Sequence, residues 1–296
     1  MNSVFDIINV PLGYLFRGIY TFVGSYGWTI ILFTIIIKLI LVPLNIKQQK
    51  SMKKTQAIQP KLMKLQEKYA QDKDKLSQET MKLYQEAGVN PMGGCLPMLI
   101  QFPVIIALYN IIRKPMSYVM MLSREAVEII NERLTGEALK FSEIIDQIGL
   151  AKNMSGSMDK LSDIINENAL INFDFFGFDL SVTPTINFIM QNWQYVLFPV
   201  LAGVTTYLVS VVSAKISGTN VNSDAAGSMK TMNVIFPFMT AWFAITLPAG
   251  LGLYWTISNL FQIAQMFVLN KVLTVEVPTI ISEDEKHFRE RKKKKK

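Results

Sequence analysis

Lys38 is a charged side chain inside an apolar stretch, WTIILFTIIIKLILVPL, that covers residues 28–44. With residues 23–27 added, this stretch reaches the roughly 20 residues that a membrane-spanning helix needs. An ammonium group at that depth costs about 2.5–3.5 kcal/mol on insertion scales. Three ways of offsetting this cost are open: extension of the side chain to the nearer membrane surface, a carboxylate partner, or a water-filled cavity. Because ionisable residues inside membranes are by default functional candidates, Lys38 is the first candidate site residue.

Uncharged polar side chains form one face of the last apolar stretch of the chain. Tyr254, Ser258 and Gln262 follow one another at steps of four residues, which puts them on one side of a helix. No Asp or Glu occurs in any predicted span, so a carboxylate partner for Lys38 is not available there. Lys38 and the polar face together predict a hydrated groove that attracts acidic or polar peptide segments. Helix–helix hydrogen bonding, at about 0.6 kcal/mol per bond, stays open as the role of each uncharged residue taken alone.

The candidate groove residues are Lys38 and the polar or aromatic side chains of the predicted spans around it: Thr34, Gln101, Tyr254, Trp255, Ser258, Asn259 and Gln262. The sequence contains no nucleophile–base pair, phosphate-binding loop or metal-ligand spacing. Its single cysteine, Cys95, excludes an internal disulfide. We therefore expect a protein that is not an enzyme, with no catalytic residue, no metal site and no cofactor.

The composition indicates an all-α polytopic membrane protein. Hydrophobic residues make up 50% of the chain and occur in long blocks, and the mean hydropathy is positive. The net charge of +7 is concentrated in residues 46–86 and in the tail. Lys47, Lys50, Lys53 and Lys54 directly follow the first predicted span, so this end faces the cytoplasm. We expect five transmembrane helices around a hydrophilic groove, a cytosolic helical hairpin, an external N-terminus and a cytoplasmic C-terminus.

The predicted segments alternate between apolar spans and polar connections. In order they are an external interfacial helix at 1–22, a first span at 23–44, a cytosolic helical hairpin at 45–92, a second span at 93–113, an external loop region at 114–193, a third span at 194–214, a cytosolic loop at 215–231, the fourth and fifth spans at 232–270, and a basic cytosolic tail at 271–296. Pro11 and Gly13 interrupt the first segment, which favours a short helix lying on the membrane. The start of the chain lacks the features of a cleaved signal peptide or a lipoprotein anchor. The external region carries amphipathic fragments at 126–134 and 139–148.

Two apolar stripes predict the cytosolic hairpin. Ile58 and Leu62 belong to the first stripe, and Leu83 and Ala87 belong to the second. Pro60 is expected in the first turn of its helix, where its missing N–H costs nothing. The candidate cytosolic docking residues are the lysines of the outer faces: Lys61, Lys64, Lys68, Lys73 and Lys75. A solvated hairpin that only connects two spans stays open as the alternative.

Several runs of the sequence resemble the YidC family of membrane protein insertases. They are IIIKLILVPLNIKQQKSMKKTQAIQPKLMKLQEKY, VNPMGGCLPMLIQFPVIIALY, FDLSVTP, YVLFPVLAGVTTYL and LPAGLGLYWTISNLFQIAQ. The resemblance implies a bacterial cell-membrane protein that inserts and folds membrane proteins, alone or beside the Sec translocon. It implies a five-helix core with a groove open to cytosol and lipid but closed outside. It also implies that Lys38 occupies the position of the family's groove Arg, Thr34 that of a neighbouring Thr, and Tyr254 with Trp255 that of an aromatic pair.

Three features depart from the family pattern. Lys38 keeps the positive charge of the usual Arg but lacks its planar fork. No large external domain or lipobox precedes the first span, which resembles the short, Gram-positive-type form. The external segment at 116–168 is longer than the family's usual connection.

The expected partners are nascent membrane proteins, the ribosome (through the basic tail and cytosolic loops), the Sec translocon and anionic lipids. The tail ends in HFRERKKKKK, which suits either anionic lipid or ribosomal RNA. Two other classes of protein stay open. The odd number of spans, the lack of an inverted repeat and the lack of an intramembrane carboxylate count against a secondary transporter or channel. A purely structural assembly factor would not contact nascent chains.

Overall fold

The structure is a computed structural model that describes residues 6–88, 96–137, 146–166, 169–217 and 227–273. These residues are mostly helical. In chain order the helices are α1 (Asp6–Val23), α2 (Tyr26–Ile40), α3 (Val42–Lys68), α4 (Lys73–Glu86), α5 (Leu96–Arg113), α6 (Pro115–Tyr118), α7 (Arg124–Thr135), α8 (Gln147–Asn153), α9 (Ile186–Gln191), α10 (Leu197–Ser217), α11 (Gly227–Thr246) and α12 (Ala249–Val272). Short 3-10 helices cover Ser155–Lys160 and Trp193–Val196, and strands β1 (Asp174–Phe175) and β2 (Phe178–Asp179) pair antiparallel.

Within the described residues, one helix is long and apolar enough by itself to cross a membrane. It is the 24-residue run Trp193–Ile216, formed by a 3-10 turn and α10. The pair Tyr26–Ile40 and Val42–Thr55 satisfies the same criteria only together, and it is bent by 60°. Gln101–Arg113 and Ile235–Thr246 are shorter apolar helices. The predicted number of five spans therefore stays a prediction.

The first predicted span, 23–44, is divided between two helices. Helix α2 ends at Ile40 and α3 begins at Val42, with Pro43 in its first turn. Proline has no N–H to donate to the preceding turn, so a helix readily breaks just before it. Residues 42–44 thus belong to the helix that continues into the hairpin. That helix runs through Pro60, so the expectation that Pro60 lies in a first turn is wrong.

The hairpin of α3 and α4 has a small apolar core of its own. Ile58 and Leu62 pack against Leu83 and Ala87, and all four side chains are buried. The side chain of Asp72 caps α4 by accepting a hydrogen bond from the backbone N–H of Lys75 at 3.0 Å. The apolar stripes in the sequence are therefore the surfaces that hold the two helices together.

The main core joins α1, α2, α5 and α12 to the described residues of the predicted external region, 114–193. Helix α1 is continuous through Pro11, although the sequence suggested an interruption there. Gly13 lets α1 approach α6 closely, because a Cβ at this position would lie 2.8 Å from the carbonyl oxygen of Tyr118. Val127 on α7 and Met154 after α8 are fully buried in the same core as Phe33 of α2. The predicted fragment at 139–148 lies mostly outside the described residues.

A two-stranded hairpin in the external region was not predicted from the sequence. Its tight turn places Phe176 and Gly177 at φ of 53° and 81°. Positive φ at both central residues is typical of the turns that join two paired strands. The expectation of an all-α fold is therefore correct for the bulk of the described chain but missed this element.

The α11–α12 turn is held by the segment that follows the β1–β2 hairpin. The backbone N–H of Ala249 donates to the carbonyl of Val182, and that of Gly250 donates to Leu180, both at 2.8 Å. These N–H groups belong to the first turn of α12 and have no acceptor within their own helix. The external region therefore completes the hydrogen bonding of the last helical pair.

Candidate functional site

Lys38 lies in the last turn of α2 and is buried, with 7% of its surface exposed. Its Nζ donates a hydrogen bond to Oε1 of Gln101 on α5, at 3.2 Å. In the part of the chain that the structure describes, the ion pairs do not include Lys38. The sequence predicted a water-filled surrounding for this cation, whereas its observed contact is an amide oxygen in a mostly closed environment.

Gln101 connects Lys38 to the last helix. Its Nε2 donates to the hydroxyl oxygen of Tyr254 on α12. An ammonium group can only donate, so the amide oxygen must face Lys38 and the amide nitrogen must face Tyr254. Tyr254 also has Ser258, one turn further along α12, as a hydrogen-bond partner. Three helices are thus joined by a single polar chain, which we call the Lys38 chain: Lys38, Gln101, Tyr254 and Ser258.

Thr34 is fully buried one turn before Lys38. Its hydroxyl donates to the carbonyl of Ile30, four residues earlier in the same helix, at 2.6 Å. Threonine commonly makes this bond inside helices. Thr34 therefore lies one turn from Lys38, and its hydroxyl donates its hydrogen bond to the backbone of its own helix.

Asn259 belongs to a second polar cluster, although the sequence grouped it with the groove residues. Its Nδ2 donates to the hydroxyl oxygens of Thr205 at 3.0 Å and Thr206 at 2.9 Å, both on α10. Sequence reasoning did not single out these threonines, although two adjacent threonines in an apolar helix were a visible signal. Trp255 is half-buried and packs on the main core, and Gln262 is half-buried on α12.

The predicted docking lysines lie around the tip of the hairpin. Lys64, Lys68, Lys73 and Lys75 are exposed, and Lys61 is half-buried. The ring of Tyr69, at the end of α3, has the Nζ of Lys68 at 5.3 Å and that of Lys75 at 5.5 Å from its centre. Such cation–π contacts at exposed sites contribute about 0.5–1 kcal/mol. Tyr69 therefore holds two positive charges at the tip.

Polar contacts between α3 and α12 were also missed by sequence reasoning. Asn45 donates through Nδ2 to Oε1 of Gln265 at 3.2 Å. Further along α3, the Nζ of Lys53 donates to the carbonyls of Asn270 at 3.3 Å and Leu273 at 2.9 Å, where α12 ends. A cation at the C-terminal end of a helix satisfies free carbonyls and complements the helix dipole. No local sequence pattern predicts pairs this far apart in the chain.

The described residues contain no group of His, Cys, Asp or Glu side chains that could hold a metal ion. The polar side chains that do come together are a lysine, amides and hydroxyls. They are suited to binding peptide carbonyls and carboxylates through hydrogen bonds and charge.

Long apolar helices, a buried cation between them and polar side chains bonded from helix to helix define a helical membrane protein. The family model described as "60Kd inner membrane protein" matches residues 18–276. The chain belongs to this family.

Curated relatives of this chain are named "Membrane protein insertase YidC". The chain is 31% identical over 271 residues to the relative from Fusobacterium nucleatum, covering 92% of this chain and 98% of that protein. It is 31% identical over 261 residues to the one from Caldanaerobacter subterraneus, covering 88% and 93%. The relative from Pelodictyon phaeoclathratiforme is 32% identical over 254 residues, which are 86% of this chain but 34% of that longer protein.

A solved structure has a similar fold. It is a crystal structure of an active YidC insertase with its first transmembrane domain resolved, and the TM-score is 0.52 at 27% sequence identity. The likeness covers 90% of this chain and 47% of that one. The chain thus spans about half of that structure and about a third of the longest relatives described here.

Proposed function

We propose that this protein is a membrane protein insertase, which takes nascent membrane proteins into a positively charged hydrophilic groove and releases their apolar helices into the lipid bilayer. Relatives that the chain covers almost completely have this activity in their names. The observation that carries the proposal is Lys38, a buried cation whose contact is a neutral amide on a neighbouring helix. A cation in this state retains affinity for a carboxylate that arrives from outside the protein.

The proposed mechanism separates the polar and apolar parts of a client. The short hydrophilic outer segment of the nascent chain enters the groove, where the charge of Lys38 attracts its acidic side chains. The apolar helix then moves between the second and fifth spans into lipid. Burial of apolar surface contributes roughly 25 cal/mol per Å², so the step requires no nucleotide hydrolysis. Because Lys38 is 7% exposed, the helices around it must separate when a client enters.

The proposed topology has five spans, an external N-terminus and a cytoplasmic C-terminus in the bacterial cell membrane. The basic residues that follow the first span support this orientation through the positive-inside rule. In this arrangement the exposed lysines at the tip of the hairpin face the cytosol. We propose that they and the basic tail, which lies outside the described residues, dock the ribosome. Anionic lipids and the Sec translocon are further proposed partners.

The test replaces Lys38 and measures insertion into proteoliposomes of a single-span client with an acidic outer tail. We expect Lys38→Ala to slow insertion roughly tenfold, because a hydrogen bond to a charged group contributes about 1.5–3 kcal/mol. Lys38→Arg keeps the charge and should retain most of the activity. The matched control is a client whose tail acids are changed to amides, which should respond much less. Normal insertion of the acidic client by Lys38→Ala would contradict the electrostatic mechanism.

A further inference from the structure

We propose that Gln101 is a specificity-determining residue: its amide oxygen is a neutral placeholder for a client carboxylate, and it sets the binding strength that a client's polar group must exceed to gain by contacting Lys38. This inference rests on the proposed insertase function and extends it. It starts from a juxtaposition of three side chains on three helices, with Gln101 bonded to Lys38 on one side and to Tyr254 on the other.

The orientation of the Gln101 amide is fixed by its two neighbours. Lys38 can only donate, so it must meet the oxygen, and the nitrogen is left for the phenol oxygen of Tyr254. Tyr254 is buried, with 1% of its surface exposed, and it is held by the main core. The amide is therefore held at one end by an immobile aromatic side chain, and it presents a single neutral acceptor to the cation.

A neutral placeholder discriminates between clients by charge. A client hydroxyl or amide that displaces Gln101 replaces one neutral acceptor with another, so the ammonium gains almost nothing. A carboxylate that displaces it brings the negative charge that the described surroundings of Lys38 lack, and ionised pairs make hydrogen bonds roughly twice as strong as neutral ones. Only acidic tails therefore gain by the exchange.

The helix that carries Gln101 can yield at this point. Pro103 lies inside α5, two residues after Gln101. It cannot donate to the carbonyl of residue 99, so the turn that contains Gln101 lacks one of its backbone hydrogen bonds, and helices bend at such positions. Phe102 and Pro103 are both exposed, so a bend moves this turn away from α2 without breaking a packed core. Gln101 can thus withdraw from Lys38 by a bend of α5 at this turn.

The test compares two variants of Gln101 on a pair of clients that differ only in Asp or Asn residues of the outer tail. Purified full-length protein in proteoliposomes is supplied with each client, and the insertion rate of each client is measured. Gln101→Leu should speed both clients several-fold, because the placeholder no longer has to be displaced. Gln101→Glu should slow both clients, because Lys38 is then already paired with a carboxylate that each client must displace.

The opposite signs of the rate changes in the two variants separate this proposal from a merely structural role. A structural role predicts that both variants slow both clients. Asn110→Leu, which removes another amide from α5, is the matched control and should leave both rates unchanged. If the wild type inserts neither client, the proposed function fails. If the wild type inserts the acidic client and Gln101→Leu speeds neither client, the placeholder proposal alone is overturned.

Discussion

At the scale of single residues, the hydrogen bonding of Lys38 accounts for lysine at a position where the family resemblance implies arginine. An arginine presents five donors in a planar fork, whereas a lysine presents three donors from one point charge. Gln101 supplies one acceptor oxygen to this cation. A guanidinium would leave more buried donors unpaired here than an ammonium does. The single amide contact therefore suits a lysine, which has fewer N–H donors to satisfy than an arginine.

Gly27 is a residue at which a single methyl group should be costly. A Cβ on Gly27 would lie 2.2 Å from ring atoms of Phe175, which packs edge-on against Trp28 at 5.8 Å between ring centres. We expect Gly27→Ala to destabilise the protein by about 1–3 kcal/mol, the usual range for an overpacked site. Thermal unfolding in detergent micelles measures the effect as a lowered midpoint temperature.

Gly18 is the matched control for this substitution. It lies inside α1, and nothing would come within 4 Å of a Cβ placed there. Alanine favours a helix over glycine by up to about 1 kcal/mol, so Gly18→Ala should leave the midpoint unchanged or raise it. Equal midpoints for Gly27→Ala and the wild type would show that Phe175 moves aside freely and that the close approach of β1 to α2 is not selective for glycine.

At the scale of helices, the cluster of Asn259, Thr205 and Thr206 joins α10 to α12. Each threonine hydroxyl donates to a carbonyl of its own helix, Thr205 to Leu201 and Thr206 to Ala202, both at 2.7 Å. Their oxygens remain free to accept the two N–H bonds of Asn259. The donors and acceptors of all four hydrogen bonds are matched, so this cluster fixes the position of α12 along the axis of α10.

We expect Asn259→Leu to lower the stability of the helical core by about 1 kcal/mol. Hydrogen bonds between membrane helices average about 0.6 kcal/mol each, and two are lost. The measurement is a double-mutant cycle with Thr205→Val and Thr206→Val, using thermal unfolding in micelles. If the losses of stability caused by the asparagine and threonine substitutions simply add, the cluster does not couple the two helices.

Helices were predicted best from the sequence where one spacing pattern was enough to define both the helix and its packed face. The spacing of Ile58, Leu62, Leu83 and Ala87 is enough to predict a paired hairpin, because each stripe must be covered by an apolar partner. The Lys38 chain was predicted as a set of residues, since an uncompensated charge stands out against an apolar span. The helical period cannot tell which of two neighbouring helices a polar residue faces, and the contact of Asn259 with Thr205 and Thr206 on α10 was therefore not predicted.

Other elements depend on contacts that are remote in the chain. The break at Leu41 required a choice between a span that ends near Pro43 and a helix that starts there, and hydropathy alone favours the longer span. The β1–β2 hairpin has strands of two residues, too short for an alternating pattern to be recognised. Lys53 contacts the end of α12 only because α3, the helix that carries Lys53, passes beside α12.

At the scale of the whole molecule, the external region is a folded layer that shares the main core. Its surface also carries ion pairs that tie distant segments together. Lys152 pairs with Asp179 at 2.5 Å, which connects α8 to β2. Arg133 pairs with Asp163 through two bonds of 2.5 and 2.9 Å, which connects α7 to the segment after the 3-10 helix Ser155–Lys160. The external layer is thus held by burial inside and by charge outside.

Acid should loosen the external layer before the helical core. The hydrogen bonds from Arg133 lower the pKa of Asp163 below its usual value. The stabilisation from this pair is therefore complete above the ordinary carboxyl pKa of about 3.9 and is lost as the pH falls through the lowered pKa. Hydrogen exchange, corrected for its intrinsic rate, should show protection of residues 160–166 that is constant from pH 6 to about pH 4 and decreases below it.

Asp163→Asn is the control for this prediction, because an amide does not titrate. Protection of residues 160–166 in this variant should start lower than in the wild type and vary less with pH. Protection of α10 should be the same in both proteins. If the wild type and Asp163→Asn lose protection in parallel across this pH range, another acidic group controls the external layer.

The carbonyls of Leu180 and Val182 imply an order for the assembly of the protein itself. They accept the N–H groups of Ala249 and Gly250, which a ribosome adds to the chain later. Chains fold from the N-terminus as they are made, so in the proposed topology the acceptors are already in position on the external side when the last helical pair arrives. We therefore expect the final two helices to complete the membrane part of the protein by docking, at their turn, onto a segment that was translocated earlier.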